Sequence, residues 1–517
     1  LSDRIVPVVI GIPSEWETML FDFYVRDYES FPFIPHIGEK GKICLYDLEG
    51  VLIDTQFDGL LRQCFRRAAD VLSDGLSGIN KLDFIYEFDA YWQMIPDCDY
   101  VRFSVPEDKK SVKIYYGYKK RDKTKNAHRT YAEVKGAGVL RDWNIDGTLY
   151  RGSFIYIEAK DYVYPPDPRD ANLKEYVNNL LRFANQHELN GLFKQGDKPF
   201  IIFEIRQPNG FSSFVGIYTI SGQISDSDGY YQFDEKSVIN PLKVIRIDKA
   251  FLMRRVENSA NPLKNMKVLI IGAGSIGGYL ASFLAKTGCE RMTIVDYQIF
   301  TEENIYRHVL DKSYVDRYKV EALAKKIQSE VPLITINTRA ERIETAFLEG
   351  AVDFTDFDVI FSVTGNHNIN RWLNKNILQS GINVPVIYAW NEPLDIGYHT
   401  AVVRADLNGS FEDLFGRDDE TGELIDVTAY CDHKQKVTKN MTGCEGSYIP
   451  YGSEISILSA TAAIDLLKRY ATGRVANNEV ISYKGDGYFF RKAGLVATQV
   501  FNKQNEFIKR WSISELL

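Results

Sequence analysis

Apolar and polar residues alternate in three different rhythms along this chain. In the first stretch, Arg4-Ile-Val-Pro-Val-Val-Ile10 has the composition of a strand. In Gly59-Leu-Leu-Arg-Gln-Cys-Phe-Arg-Arg-Ala-Ala-Asp-Val-Leu72 the apolar positions recur at helical spacing, which predicts an amphipathic helix carrying Cys64 as a packing residue. Residues 1–95 therefore read as a small α+β unit. Residues 96–250 switch to short aromatic and β-branched runs divided by turns. These runs, Ser111–Tyr116, Ser153–Glu158, Pro199–Glu204 and Phe214–Ile220, predict strands, and Lys174–Gln186 predicts a helix. The Lys- and Arg-rich run Lys109–Arg129 reads as a solvated loop. No catalytic constellation stands out here, so this is a β-rich linker domain. Over residues 251–517 the rhythm becomes strand, helix, strand. Lys267–Ile271, Arg291–Val295, Val359–Val363 and Val384–Tyr388 predict strands, while Gly278–Lys286 and Ser453–Lys468 predict helices. That order is a Rossmann-like, doubly wound α/β domain.

Composition narrows the classes. A chain of 517 residues is too long for one core, and its 45% hydrophobic and 26% charged fractions describe a globular protein. A formal charge of −8 argues against general binding to nucleic acid or to an anionic membrane. No apolar stretch approaches the roughly 20 residues of a membrane span. Six cysteines, at 44, 64, 98, 289, 431 and 444, form no Cys-x-x-Cys pair, so a structural zinc site is not expected. Scattered thiols without a signal sequence fit the reducing cytoplasm. The sequence opens at Leu1, so the natural start is expected to lie outside it.

The chemistry concentrates in three places. Gly272-Ala-Gly274-Ser-Ile-Gly277-Gly278 lies between a predicted strand and a predicted helix. Glycines there let backbone N–H groups approach phosphate, and the helix N-terminus favours negative charge. That pattern alone also fits nicotinamide and flavin folds. Asp296, at the end of the next strand, is placed to accept from a ribose hydroxyl. Beyond it, Asn304-Ile-Tyr-Arg307-His308 and then Lys319 set an amide and two cations. Such groups suit the triphosphate of ATP, whose leaving pyrophosphate needs charge neutralisation. The other two places hold thiols: Gly41-Lys-Ile-Cys44-Leu in the first unit and Gly443-Cys444-Glu-Gly in the last, after a long polar stretch and before a helix. A thiol near a helix N-terminus has a lowered pKa. Cys431, near His433, is its competitor.

Residues 251–470 resemble the adenylation domain of ubiquitin-activating and ThiF/MoeB-type enzymes, whose pattern runs Gly-x-Gly-x-x-Gly, Asp, Asn-x-x-Arg, Lys. The resemblance implies that Asp296 holds the ribose of ATP while Asn304, Arg307 and Lys319 hold the phosphates. It implies a homodimer whose Arg254 or Arg255 reaches the partner's phosphates. Mg2+ is implied too, but the usual metal-binding aspartate is replaced in Thr364-Gly365-Asn366, leaving Asn366, Asp358 or another acid to serve. Cys444 resembles the thiol of the crossover loop. Residues 31–45 resemble the active-site loop of ubiquitin-conjugating enzymes, with Cys44 as the acceptor thiol and His36 where that family places the oxyanion-stabilising asparagine. Such domains carry more chain before the cysteine, so an N-terminal helix is expected outside this numbering. The fused order resembles the enzyme of bacterial CBASS antiphage operons. It implies activation of the C-terminal tail of a cGAS/DncV-like nucleotidyltransferase, or of a ubiquitin-like carrier, for transfer to target proteins. Two other readings stand beside it: a sulfur-carrier adenylyltransferase outside CBASS, and a non-enzymatic dinucleotide-binding scaffold.

Overall fold

The computed structural model describes residues 5–46, 51–120, 128–145, 147–193, 198–254, 262–435, 437, 439–440 and 447–516. Contacts divide the chain into two compact units, Leu1–Leu252 and Met253–Leu517.

In the first unit, β1 (Val8–Gly11) and β2 (Asp22–Val25) pair antiparallel, with Val8 opposite Val25. Helix α1 (Phe57–Ser77) covers their inner side. Its buried positions Leu60, Cys64, Ala68, Val71 and Leu72 fall three and four apart on one stripe, and they pack on Phe21, Phe23, Ile43 and Leu45. The helix stops at Gly78, whose φ of 75° suits a residue without a Cβ. Two short helices follow, α2 (Asp83–Tyr86) and α3 (Phe88–Gln93). Phe88, Trp92 and Ile95 turn away from the first core and join Ile155, Ile157 and Phe203 in the next one. The Trp92 indole N–H donates to the carbonyl of Leu242 at 3.1 Å.

That next layer is a closed mixed barrel. Its strands are β3 (Asp99–Phe103), β4 (Val112–Lys120), β5 (His128–Val134), β6 (Tyr150–Glu158), β7 (Phe200–Arg206), β8 (Ser212–Ser221) and β11 (Val238–Arg246). The order is β11-β3-β5-β4-β6-β7-β8, closing between β8 and β11. Closure leaves no open sheet edge in the barrel. Helices α4 (Val139–Asp142), α5 (Leu173–Phe183) and α6 (Gln186–Leu189) and the hairpin β9 (Ile224–Ser227)–β10 (Tyr230–Phe233) flank it. The basic run read as a solvated loop is mostly strand among its described residues: Ile114, beside exposed Lys113, is buried in the barrel core, with Val112 and Tyr116 packed against it. Residues 121–127 of that run lie outside the described residues.

After α7 (Lys249–Met253), the second unit builds the α/β sheet expected from the sequence. β12 (Lys267–Ile271), β13 (Arg291–Val295), β14 (Thr335–Arg339), β15 (Val359–Ser362) and β16 (Val386–Asn391) run parallel. Three further strands, β17 (Gly397–Val403), β22 (Glu479–Lys484) and β23 (Ile508–Ser512), extend it antiparallel, so the sheet is mixed. The full order is β14-β13-β12-β15-β16-β17-β22-β23. Between β17 and β22 lie the small pairs β18 (Phe415–Arg417)–β19 (Leu424–Asp426) and β20 (Lys439–Asn440)–β21 (Ser447–Tyr448). Helices α8 (Ser275–Lys286), α9 (Lys319–Glu330) and α12 (Ser453–Ala471) cover one face of the sheet. Helices α10 (Ile343–Leu348) and α11 (His367–Gln379) cover the other. Leu373, Ile377, Ile455 and Leu467 are core residues of these layers.

Candidate active site

Two sites emerge, one in each unit, and each begins with a local backbone feature. In the first unit, Cys44 is exposed between buried Ile43 and Leu45, just after the isolated bridge that Ile43 makes with Ile37. Its N–H donates to the carbonyl of His36 at 2.8 Å, and Ile43 N–H donates to Phe23 at 2.8 Å. The intervening loop turns through three left-handed residues, His36 (φ 63°), Lys40 (φ 56°) and Gly41 (φ 78°). A Cβ on Gly41 would stand 2.8 Å from the Val25 carbonyl, so only glycine lets the loop lie this close to β2.

Both ring nitrogens of His36 are engaged by carboxylates: Nε2 by Asp83 Oδ2 and Nδ1 by Glu87 Oε1, each at 2.9 Å. The hydrogen bond with Glu87 raises the imidazole pKa against the cost of burial, and with help from Asp83 it reaches about 8. Burial works to raise the Glu87 carboxyl, but hydrogen bonds from His36 and Tyr91 outweigh it and hold the group below its usual range. The Tyr91 hydroxyl donates to Glu87 at 2.8 Å and accepts the His36 backbone N–H at 2.7 Å. An oxyanion donor would need one of those ring nitrogens, so that role for His36 requires an ion pair to open first.

In the second unit, β12 delivers the chain into Gly272, whose φ is 101°. A Cβ on Gly277 would meet the Gly272 carbonyl at 1.9 Å, so this glycine lets α8 seat against the turn. The result is a cleft of about 200 Å³ at the carboxyl ends of the parallel strands, walled by Gly272, Gly274, Asp296, Gln298, Arg342 and Thr364 among others. Asp296 accepts the N–H of Ala273 at 2.7 Å and that of Gln298 at 2.8 Å, so this carboxylate also braces the glycine turn. Lys319 is buried at the start of α9 and donates to Gln298 Oε1 at 2.7 Å. Burial lowers its pKa, with Asp296 partly restoring it.

Asn304 is buried in a 3-10 turn over Glu302–Arg307, where its side-chain oxygen caps Thr301. The half-buried Arg307 lies over the Tyr451 ring, 5.5 Å from its centroid. Asn304, Arg307, Lys319 and Gly277 are not walls of the cleft itself; they stand behind it through Gln298, Ser275 and the glycine turn.

Several participants escaped sequence reasoning. Ser275 Oγ donates to the Arg307 carbonyl and accepts from Ser456 Oγ at 2.8 Å, and Ser456 in turn accepts from Asn391 Nδ2 at 3.0 Å. This polar chain ties the glycine turn to the Arg307 backbone, to α12 and to β16. His308 braces the same turn. Its Nε2–H donates to the Ala273 carbonyl at 2.8 Å and its Nδ1 accepts the Leu310 N–H at 3.1 Å. Burial pushes its pKa down to about 4, so the ring is neutral. His308 adjoins the Asn-x-x-Arg motif, and Asp83, Glu87 and Tyr91 recur every four residues; those were the available signals.

Cys444 and Arg255 lie outside the described residues. Arg254 is exposed just after α7. Cys431 is buried, and burial together with Glu392 and Asp432 pushes its thiol up to about 12, which leaves it without useful thiolate. Asp358 accepts the Lys267 N–H at 2.7 Å, at the start of β12, whereas the cleft lies at that strand's other end. It is too far along the strand to serve a metal at the phosphates, which corrects one candidate for that role.

A model of the ThiF family matches residues 250–493, and a model of prokaryotic E2 family B matches residues 2–100. The fold and these matches define an adenylation domain joined on one chain to a conjugating domain. Along most of its length the chain is similar to the ATP-dependent ubiquitin transferase-like protein Cap2 of Pseudomonas aeruginosa, at 22% identity over 475 residues, covering 85% of this chain and 80% of that protein. The protein of the same name from Escherichia coli is 26% identical over 236 residues, covering 44% of this chain and 38% of that relative. Among solved structures, E. coli MccB overlays 49% of this chain and 65% of its own at 19% identity and a TM-score of 0.36, a likeness too slight to bear on function. Over 85% of its length the chain is thus Cap2-like, an ATP-dependent ubiquitin transferase-like enzyme that carries a ThiF domain and a prokaryotic E2 domain. A non-enzymatic scaffold is thereby set aside. Among the described residues, no helix is long and apolar enough to cross a membrane.

Proposed function

We infer that this enzyme adenylates the C-terminal carboxylate of a carrier protein with ATP and relays the acyl group through Cys444 and Cys44 to an amine. The carboxylate oxygen attacks the α-phosphorus and pyrophosphate leaves. The Cys444 thiolate attacks the acyl carbon and AMP leaves with the bonding electrons. The Cys44 thiolate repeats the attack and releases Cys444; an amine then attacks, loses its proton and releases Cys44. Splitting one hard acylation into thioester exchanges is nucleophilic catalysis. The observation carrying this reading is the pairing on one chain of a nucleotide cleft at the strand ends with an exposed thiol, Cys44, on a braced loop.

Within it, Asp296 serves the ribose, Gly272 and Gly274 the phosphates by close backbone approach, and Asn304, Arg307 and Lys319 supply donors and positive charge behind them. The carrier is a cGAS/DncV-like nucleotidyltransferase tail in antiviral defence, entering as an extended peptide. A second copy lends Arg254 or Arg255 to the phosphates. The residues at the family's magnesium position do not fit a protein-held Mg2+. Gly365 has no side chain, the Asn366 oxygen caps Asn368 N–H at 2.9 Å, and among the described residues no cluster of three ligating side chains exists. No step is therefore routed through the metal.

Cys444→Ala should abolish carrier thioester on Cys44. Cys44→Ala should abolish conjugates while ATP–pyrophosphate exchange continues. If Cys44→Ala leaves carrier modification untouched, the sulfur-carrier adenylyltransferase reading replaces this one. For the dimer, an Arg254/Arg255 double variant mixed with a Lys319 variant should regain part of the activity; a demonstrated heterodimer that stays inactive puts the arginine in cis.

A further inference from the structure

The sequence resemblance to conjugating enzymes implies His36 as a donor to the reacting acyl oxygen, but its surroundings say something else. Its two ring nitrogens, its N–H and its carbonyl are all committed: to Asp83, to Glu87, to the Tyr91 hydroxyl and to the Cys44 N–H. The three partner side chains come from α2 and α3 and the junction between them. The opposite side of α3 belongs to the barrel, through Phe88 and Trp92 in its core and the Trp92 bond to Leu242. A triangle of Phe33, Phe84 and Tyr91, with centroids 4.6–5.5 Å apart, fills the space beneath the loop.

We propose that the barrel domain positions the Cys44 thiol through this clamp, with His36 acting as a positioning residue rather than a donor to the acyl group. The clamp is a short mechanical path: barrel core, α3, the Tyr91 and Glu87 side chains, His36, and the Cys44 backbone. A left-handed backbone at His36 is uncommon for a non-glycine residue, and the hydrogen bonds on both sides of it hold it there. The inference rests on Cys44 being an acyl-carrying thiol, and it assigns the middle domain a task that its sequence does not disclose. The groups facing the imidazole are Asp83 and Glu87; Tyr91 bonds the His36 backbone N–H and Glu87, and Cys44 acts electrostatically on Tyr91. With the imidazole pKa raised to about 8, the charged clamp is complete below the usual value of 6.5 and is lost as pH rises through about 8.

The test is hydrogen exchange across residues 36–46 of the full chain, read beside acyl transfer from Cys44 to a small amine. Tyr91→Phe and Glu87→Gln remove clamp bonds from side chains that an acyl oxygen would not use. Both should lower protection of the Cys44 and Ile43 amides by about tenfold or more and slow transfer in parallel. In the unaltered enzyme, protection corrected for intrinsic exchange should fall as pH passes about 8. Circular dichroism and the thermal transition of the first unit check that each variant is folded there, and ATP–pyrophosphate exchange checks the other unit. The proposal is overturned if both variants keep normal protection and transfer while His36→Gln alone abolishes transfer, which would return His36 to the acyl oxygen. Lost protection with undiminished transfer overturns it as well. Should Cys44→Ala leave conjugation intact, it is the functional reading that fails, while the exchange result still decides whether the clamp orders the loop.

Discussion

At the scale of residues, two histidines of opposite character set opposite pH dependences. His308 is held neutral, its pKa down at about 4 from the usual 6.5. The unfolded chain therefore binds the extra proton first, and the stability His308 contributes is full above 6.5 and drains away as pH falls toward 4. His308→Gln should flatten that part of the acid unfolding curve, measured by the fluorescence midpoint between pH 4 and 7. His36 runs the other way, since its charged form is the one the fold favours. Glycines offer a sharper test. Gly277→Ala would force a methyl group to within 1.9 Å of the Gly272 carbonyl, an overlap costing about 1–3 kcal/mol if the turn gives way. We expect ATP affinity to fall by about tenfold or more on that account, which isothermal titration would read. At Gly365, by contrast, the space around a new Cβ is open and only the φ of 67° resists. Gly365→Asp should lower the magnesium concentration needed for half-maximal pyrophosphate exchange; no change in that concentration would show that a carboxylate at this position does not meet the metal.

At the scale of elements, what the sequence made legible is what neighbouring residues do to each other. The turn from β12 into α8, the Asp296 that ends β13 and the exposed Cys44 after its glycine loop depend on local backbone geometry, and each lies where its spacing predicts. The supports of those sites were hidden because they join residues far apart. His36 meets Asp83 across 47 positions and Tyr91 across 55, and Ser275 meets Ser456 across 181. No periodicity reports such meetings. Of the antiparallel strands that were missed, β22 has a related reason: it pairs with β17 across the long polar stretch 406–443, which reads as loop. The serine chain gives a prediction of its own. Ser456→Ala leaves Asn391 and Ser275 each short of a buried partner, at a cost of about 1 kcal/mol. Pyrophosphate exchange should fall several-fold while α12, carried by Ile455, Ala463 and Leu467, stays in place by circular dichroism.

At the scale of the whole molecule, each unit has its own cores, and the nucleotide cleft belongs to the second. A non-hydrolysable ATP analogue at a hundredfold excess over its Kd should stabilise that unit by about 2.7 kcal/mol. Scanning calorimetry should therefore show one component moving up and the other unmoved. The two units also end their sheets differently. The barrel closes on itself, whereas the eight-stranded sheet stops at β14 and β23. Rows of backbone groups at such borders invite pairing with another copy, the first step toward cross-β aggregates. The border strands are armed against it. Thr335-Ile-Asn-Thr-Arg339 is polar at nearly every position, and Ile508-Lys-Arg-Trp-Ser512 sets two adjacent cations, with the Lys509 ammonium folded over the Trp511 ring at 4.9 Å. These charges act as gatekeepers: they keep a crowded population of chains from zipping together along their rims, and exchanging Lys509 and Arg510 for valine would convert a soluble border into a template for fibrils.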